Sequence, residues 1–402
     1  MPRPTVTTTP PLLLAACALT LAGTVSAADE PFTIDGSDGT RLRAEPLETF
    51  SGPWAMTFLD DGRALVTEKS GTLWLLDAEG RKLGKIDGAP EVTPRGQGGL
   101  GDVVPHPDFA ENGVVYLSYV ERDADDDELS GAAVRRATLS LDAEGGQLSD
   151  GEVIWRQTPK VLGNGHYGHR LAFSPDGYLF ITSGERQKFS PAQNMAMNLG
   201  KTIRLNEDGS VPEDNPFVES GGVAAEVWTL GHRNPLGIDF DASGRLWVHE
   251  MGPKGGDELN RIVRSENYGY PLVSNGTHYD GTPIPDHEGE PAYENPALSW
   301  VPSISPAGFV IYDGDAFGEW EGNGLIGGLS SEALVRVSFR EMPVDNQGAD
   351  SPSGTETTAV EEARYEWGSR VREVEQGPDG ALYVLEDGED GRLLRLTPAS
   401  AG

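Results

Sequence analysis

Residues 171–182 read LAFSPDGYLFIT. Two apolar runs flank Pro175-Asp176-Gly177, and Asp-Gly between such runs is a hairpin signal, because glycine supplies the positive φ of the turn. The same design recurs at residues 56–66 (MTFLDDGRALV), 102–119 (DVVPHPDFAENGVVYLSY), 238–248 (IDFDASGRLWV) and 372–384 (REVEQGPDGALYV), and more loosely at 309–338. Taking Gly62, Gly113, Gly177, Gly244, Gly324 and Gly380 as the turn glycines, the mean spacing is about 64 residues. Helical heptads are absent, and a sandwich gives no reason for six recurrences. Repeats of four strands around an axis predict an all-β fold, a six-bladed β-propeller. One domain over residues 28–402 is expected, with a polar channel where loops of every blade converge. Residues 41–50 are expected to close the ring against the last blade.

Residues 1–27 read as a secretory signal peptide. Arg3 is the only charge before Asp29, residues 11–25 are apolar or small, and Val25 and Ala27 fit a cleavage site. Leu14-Ala15-Ala16-Cys17 offers the alternative of a lipoprotein anchored at Cys17. Both readings export the chain, so it is expected to be periplasmic or secreted. No other stretch approaches about 18 apolar residues, so no transmembrane segment is expected in the mature chain.

Composition narrows the function. The 402 residues carry 64 Asp and Glu against 31 Lys and Arg, a formal net charge of −33. Such a surface repels a phosphate backbone, which argues against nucleic acid. The scarcity of lysine among the basic residues, with the acid excess, fits a salty external medium. One cysteine excludes a disulfide scaffold, a thiolate zinc site and a C-x-x-C-H haem attachment.

Three stretches imitate other motifs. Residues 96–101 match G-x-G-x-x-G but are followed by a strand pattern, so nicotinamide binding is rejected. Asp123, Asp125 and Asp127 resemble the start of a calcium loop, yet Glu128 stands where that loop needs glycine. Residues 343–362 are polar and read as a mobile surface loop.

Four polar, glycine-rich loops remain: residues 95–102 (RGQGGLGD), 163–170 (GNGHYGHR), 231–235 (GHRNP) and 251–258 (MGPKGGDE). With QGGLGDVVPHPDF, HYGHRLAFSPDGYLFITSGE, LGKTIRLNEDGSVPEDNPF, NYGYP and REVEQGPDGALYVLED, they occur in one order. In that combination the chain resembles the soluble pyrroloquinoline-quinone (PQQ)-dependent sugar dehydrogenases of the glucose/sorbosone dehydrogenase family, most of all their aldose-sugar branch. The family fold is a six-bladed propeller, which agrees with the repeats.

The resemblance implies oxidation of an aldose sugar to a lactone, with electrons passed to a separate acceptor, a cytochrome or a quinone. His166 falls at the family's general base and Glu185 at its acid neighbour; His169 is the second candidate. PQQ is a tricarboxylate, and arginine pairs with carboxylates bidentately. Its contacts fall on Gln97, Arg233, Asn234, Arg370 and Arg372. Arg370 and Arg372, two apart, are expected on one side of a strand. Ca2+ takes oxygen ligands; the resemblance puts one ion on the carbonyls of Gly252 and Pro253, with Asp257 beside that loop, and a further ion on Glu258 and Tyr268. Two positions depart from the family. Ser330 stands where a lysine contacts PQQ, with Lys254 a candidate substitute, and Met251 replaces a polar residue. A calcium-dependent lactonase and a non-catalytic propeller binding glycans or proteins are the competing readings.

Overall fold

The computed structural model describes residues 1–2, 30–343 and 355–399. The signal peptide and Cys17 readings therefore fall almost wholly outside the described residues. Within them the chain is nearly all-β, with one short α-helical turn, Phe109–Asn112, and four 3-10 turns. No described helix is long and apolar enough to cross a membrane.

The strands form antiparallel meanders. Gly168–Phe173, Leu179–Ser183, Lys201–Leu205 and Val227–Leu230 make one four-stranded sheet in sequence order. The sheets beginning at Pro235–Phe240 and Pro306–Ile311 repeat this plan. A nine-stranded sheet contains two such meanders. They start at Pro53–Phe58 and Leu100–Pro105, and join where Ile86 and Asp87 pair in parallel with Gly146 and Gln147. The meander beginning at Val371–Gln376 ends in Gly391–Pro398, and Arg41–Phe50 pairs antiparallel with that last strand. Residues 41–50 thus join the last sheet as expected, and Phe32–Asp35 pairs with them at its edge.

The first strand of each meander lies innermost. Pro53–Phe58 packs beside Leu100–Pro105, then in turn come Gly168–Phe173, Pro235–Phe240, Pro306–Ile311 and Val371–Gln376, which returns to Pro53–Phe58. Apolar side chains fill the space between neighbouring sheets: Tyr116 and Val134 meet Leu179, Ile181 and Ile203. Burying each aliphatic chain contributes about 1.5–3 kcal/mol, so the ring is held mainly by face-to-face packing. Close approach near the axis needs glycine. A Cβ on Gly101 would stand 2.1 Å from the His169 ring.

Gly62, Gly177, Gly244 and Gly380 sit in turns with positive φ. Two expectations are corrected. Gly324 opens strand Gly324–Gly328 rather than a turn, and Gly322, at φ 75°, takes the left-handed position. Of the polar stretch read as a loop, residues 344–354 lie outside the described residues, and 355–362 are strand. Thr355–Glu366 pairs with Ala333–Pro343 as the outermost pair of its sheet. An edge strand needs apolar residues on one face only, and Ala359, Ala363 and Tyr365 supply them.

Candidate functional site

The site is built from chain that enters the inner strands. Gln97 precedes Leu100–Pro105, His166 precedes Gly168–Phe173, and Arg233 and Asn234 precede Pro235–Phe240. Arg370 and Arg372 flank the start of Val371–Gln376. These segments surround two adjoining cavities of about 340 and 750 Å3, which share Gln97, Met251 and Ser305. Trp54, Lys69, His169, Arg370, Arg372 and Asp387 line the smaller one. His166, Arg233, Gly252, Pro253, Tyr279 and Ser330 line the larger.

His166 and Glu185 form a buried pair, with Nδ1 2.5 Å from Oε1. The Glu185 carboxylate also accepts the backbone N–H groups of Gln187 at 2.9 Å, Lys188 at 2.5 Å and Phe189 at 2.6 Å. Positive φ at Arg186, Gln187 and Phe189 curls this segment into an anion-holding nest. Burial would raise the Glu185 pKa, but the His166 bond, the Phe189 N–H and nearby Arg233 outweigh it, and the pKa is lowered. An ionised Glu185 accepts the hydrogen bond of Nδ1–H, which keeps that proton on Nδ1 and leaves Nε2 as the base. Burial also pulls the His166 pKa down, with the Glu185 bond opposing, so the ring is neutral near pH 7. Gln97 Oε1 accepts the His166 backbone N–H at 2.6 Å and fixes the loop. His169 has a different environment. It stacks on Trp54 at 4.9 Å, its Nδ1 lies 2.8 Å from Ser118 Oγ, and burial pulls its pKa down to about 3.

The expected cations surround the same cavities. Arg233 Nη1 donates to Met251 O at 2.9 Å, while its buried Nε has no partner. Asn234 lies behind Met251, with Oδ1 buried and unpartnered, and lines neither cavity. Arg370 Nε and Arg372 Nη2 each lie 2.9 Å from the Asp387 carboxylate, on one side as expected. A buried donor without a partner costs about 1–3 kcal/mol, and the place of Arg233 in the wall of the larger cavity fits completion of its Nε by an anionic ligand.

The calcium candidates separate. Gly252 and Pro253 face the larger cavity, and their loop is pinned by Asp257, whose carboxylate accepts Gly252 N at 2.8 Å and Ser305 N at 2.7 Å. Glu258 and Tyr268 belong to a buried cluster away from the cavities. Glu258 sits directly opposite Glu250 on the neighbouring strand. Like charges facing across strands are unfavourable. Asn260 Nδ2 lies 3.4 Å from Glu250 and 3.2 Å from Glu258, and His287 Nε2 lies 3.2 Å from Glu258. Asn260 Oδ1 is buried and unpartnered, an oxygen that suits a hard cation. The Tyr268 ring stacks on His232 at 4.7 Å, and His232 Nδ1 lies 2.9 Å from Glu250. Among the described residues no three His, Cys, Asp or Glu side chains form a metal cage.

Sequence reasoning missed Lys69, Trp54, Asp387 and Tyr279. Lys69 stands in an ordinary turn, and Tyr279 in a long connection whose course no local pattern reveals. Asp387 was legible only as the end of the last shared stretch.

A ring of β-meanders, with a carboxylate-held histidine facing an arginine-lined cavity at the channel mouth, defines a ring-shaped enzyme of the propeller type. The "Glucose / Sorbosone dehydrogenase" family model matches residues 50–395, and the chain belongs to this family of oxidoreductases. It is 37% identical over 350 residues to "Aldose sugar dehydrogenase YliI" of Escherichia coli K12, covering 86% of this chain and 90% of that protein. The crystal structure of the soluble aldose sugar dehydrogenase of E. coli in the apo form superposes with a TM-score of 0.80 at 37% identity, covering 89% of this chain and 100% of that one. The PQQ-bound form of an aldose sugar dehydrogenase from Streptomyces coelicolor gives 0.65 at 26% identity, covering 90% and 98%.

Proposed function

We propose that this chain is a PQQ- and calcium-dependent aldose sugar dehydrogenase that oxidises the C1 hydroxyl of an aldose to a lactone and hands the electrons to a separate carrier. We read the fold as a single domain, a six-bladed propeller, and the chain as exported. The observation that carries the function is the His166–Glu185 pair opening on the larger cavity beside Arg233, with Arg370 and Arg372 in the wall of the adjoining smaller one.

The residues divide the work. Arg233, Asn234, Arg370, Arg372 and Gln97 would hold the cofactor, and the open Arg233 Nε is a donor it would complete. The Gly252 and Pro253 carbonyls would hold one calcium, and Glu258, with the Tyr268 carbonyl, another. When bound, PQQ supplies a two-electron quinone acceptor for the C1 hydride, and Ca2+ supplies Lewis acidity at it. His166 Nε2 takes the C1 hydroxyl proton as the C–H electron pair leaves and the C=O forms. Glu185 stabilises the resulting imidazolium. No C-x-x-C-H haem attachment motif exists in the chain, so the electrons leave through a separate carrier, a cytochrome or a quinone.

The test combines purified protein with PQQ, Ca2+ and a panel of aldoses, and follows dye reduction with no nicotinamide present. Sugar-dependent reduction that requires PQQ is the expected result. Lactone hydrolysis without PQQ would move the chain to the lactonase reading, and absence of PQQ binding to the non-catalytic one.

A further inference from the structure

The wall that carries Arg370 and Arg372 holds a third cation. Lys69 follows strand Ala64–Glu68 and lines the smaller cavity with both arginines and Gln97. Its Nζ donates to Gly96 O at 2.9 Å. An ammonium carries three donors, and no carboxylate of the described residues forms an ion pair with Lys69. Asp387 and Glu389 act on it only through space. Both arginines already share Asp387. This wall therefore sets three cations against one contacting carboxylate, in a protein of net charge −33.

Such crowding is unfavourable without a further counter-charge. Burial lowers the Lys69 pKa, and the charge of Arg372 lowers it further, against the pull of Asp387 and Glu389. An incoming anion reverses that balance. The other lysine at the site does not have this position: Lys254 is exposed and lines the larger cavity. Ser330, in that same cavity, offers only a hydroxyl, donated to Ser303 O at 3.2 Å.

We propose that Lys69 is a cofactor-binding residue, the third cation of the Arg370–Arg372 wall, pairing with a carboxylate of PQQ. The inference rests on the PQQ reading above and deepens it.

The experiment titrates apo protein with PQQ at fixed Ca2+, following quenching of tryptophan fluorescence, since Trp54 lines the same cavity. Wild type, K69Q and K69R are compared at two salt concentrations. Gln at this position keeps a donor for Gly96 O and removes only the charge, so a folded variant is expected, checked by its melting curve. The expected result is a Kd raised about tenfold or more in K69Q, largely restored in K69R, with a shallower salt dependence in K69Q. A K69Q affinity within twofold of wild type, or a loss equal in K69R and K69Q, overturns the assignment while leaving the PQQ reading standing. Failure of the wild type to bind PQQ sinks both.

Discussion

The same inner strands line two cavities, one walled by basic side chains and the other by acidic ones. Near their first residues they face Lys69, Arg370 and Arg372. A few residues further on they present Asp102, Asp239, Glu373 and Glu375 around Arg170, in a cavity of about 240 Å3. The acidic end largely satisfies itself. Asp102 accepts the Leu171 N–H at 2.9 Å, and Asp239 accepts those of Phe240 at 2.7 Å and Ile311 at 2.6 Å. Arg170 pairs with Glu373, lies 3.5 Å from Asp102 and sits over the Trp54 ring at 4.2 Å. Asp102 and Asp239 tie neighbouring inner strands together, and Arg170 reaches across the ring to Glu373. At the cationic end Arg233 Nε stays open. One end completes the ring, and the other is left for a ligand to complete.

If that division is right, changes at one end should spare the property that belongs to the other. The largest expected effect is at the mouth. H166A should lower kcat by about a hundred- to ten-thousandfold, with PQQ still bound in a fluorescence titration; turnover close to wild type would remove His166 from the base role. Next comes R170M, which leaves Glu373 and Asp102 buried without their cation. Denaturant unfolding should show a loss of about 3–5 kcal/mol, with PQQ affinity little changed while the protein is folded. A matching loss of affinity would mean the two ends are one unit.

R372M tests the converse. PQQ Kd should rise by about tenfold or more, and the stability loss should be smaller than for R170M, because Asp387 keeps Arg370. Equal destabilisation by the two variants would make Arg372 a structural residue. The smallest effect concerns pH. Burial pushes the Glu373 carboxyl up to about 7, with Asp102 adding to the push and Arg170 opposing it. The folded state therefore holds a proton that the unfolded chain releases at lower pH. Glu373 thus favours folding fully below about pH 4.5, and this contribution is lost as pH rises through about 7. Relative to E373Q, wild type should lose melting temperature by a few degrees over that window; parallel curves would contradict it.

The repeats were legible because alternation and an Asp-Gly turn are local features. Residues 56–66, 171–182, 238–248 and 372–384 each fold as the hairpin they spell. The loose fifth repeat misled on Gly324, where several glycines compete for one turn and strand pairing chooses among them. The strand Thr355–Glu366 was missed because an edge strand can be almost as polar as a loop. At the site, the residue types were legible from the resemblance, but their arrangement was not. Asn234 proved to lie behind Met251 rather than in the cavity, and Glu258 and Tyr268 fell into a separate buried cluster with Glu250 and Asn260.

By itself the sequence determined the hairpin repeat, the acidic surface and the chain segments that enter the inner strands. All of these follow from the preferences of neighbouring residues. Tertiary structure alone decided which distant groups meet. Gln97 reaches the His166 backbone 69 residues away, and Arg170 reaches Glu373 203 residues away, because closing the ring brings those loops and strands together. It also decided which buried charges find partners and which stay open, since that depends on packing across sheets, to which a pattern within one sheet carries no information.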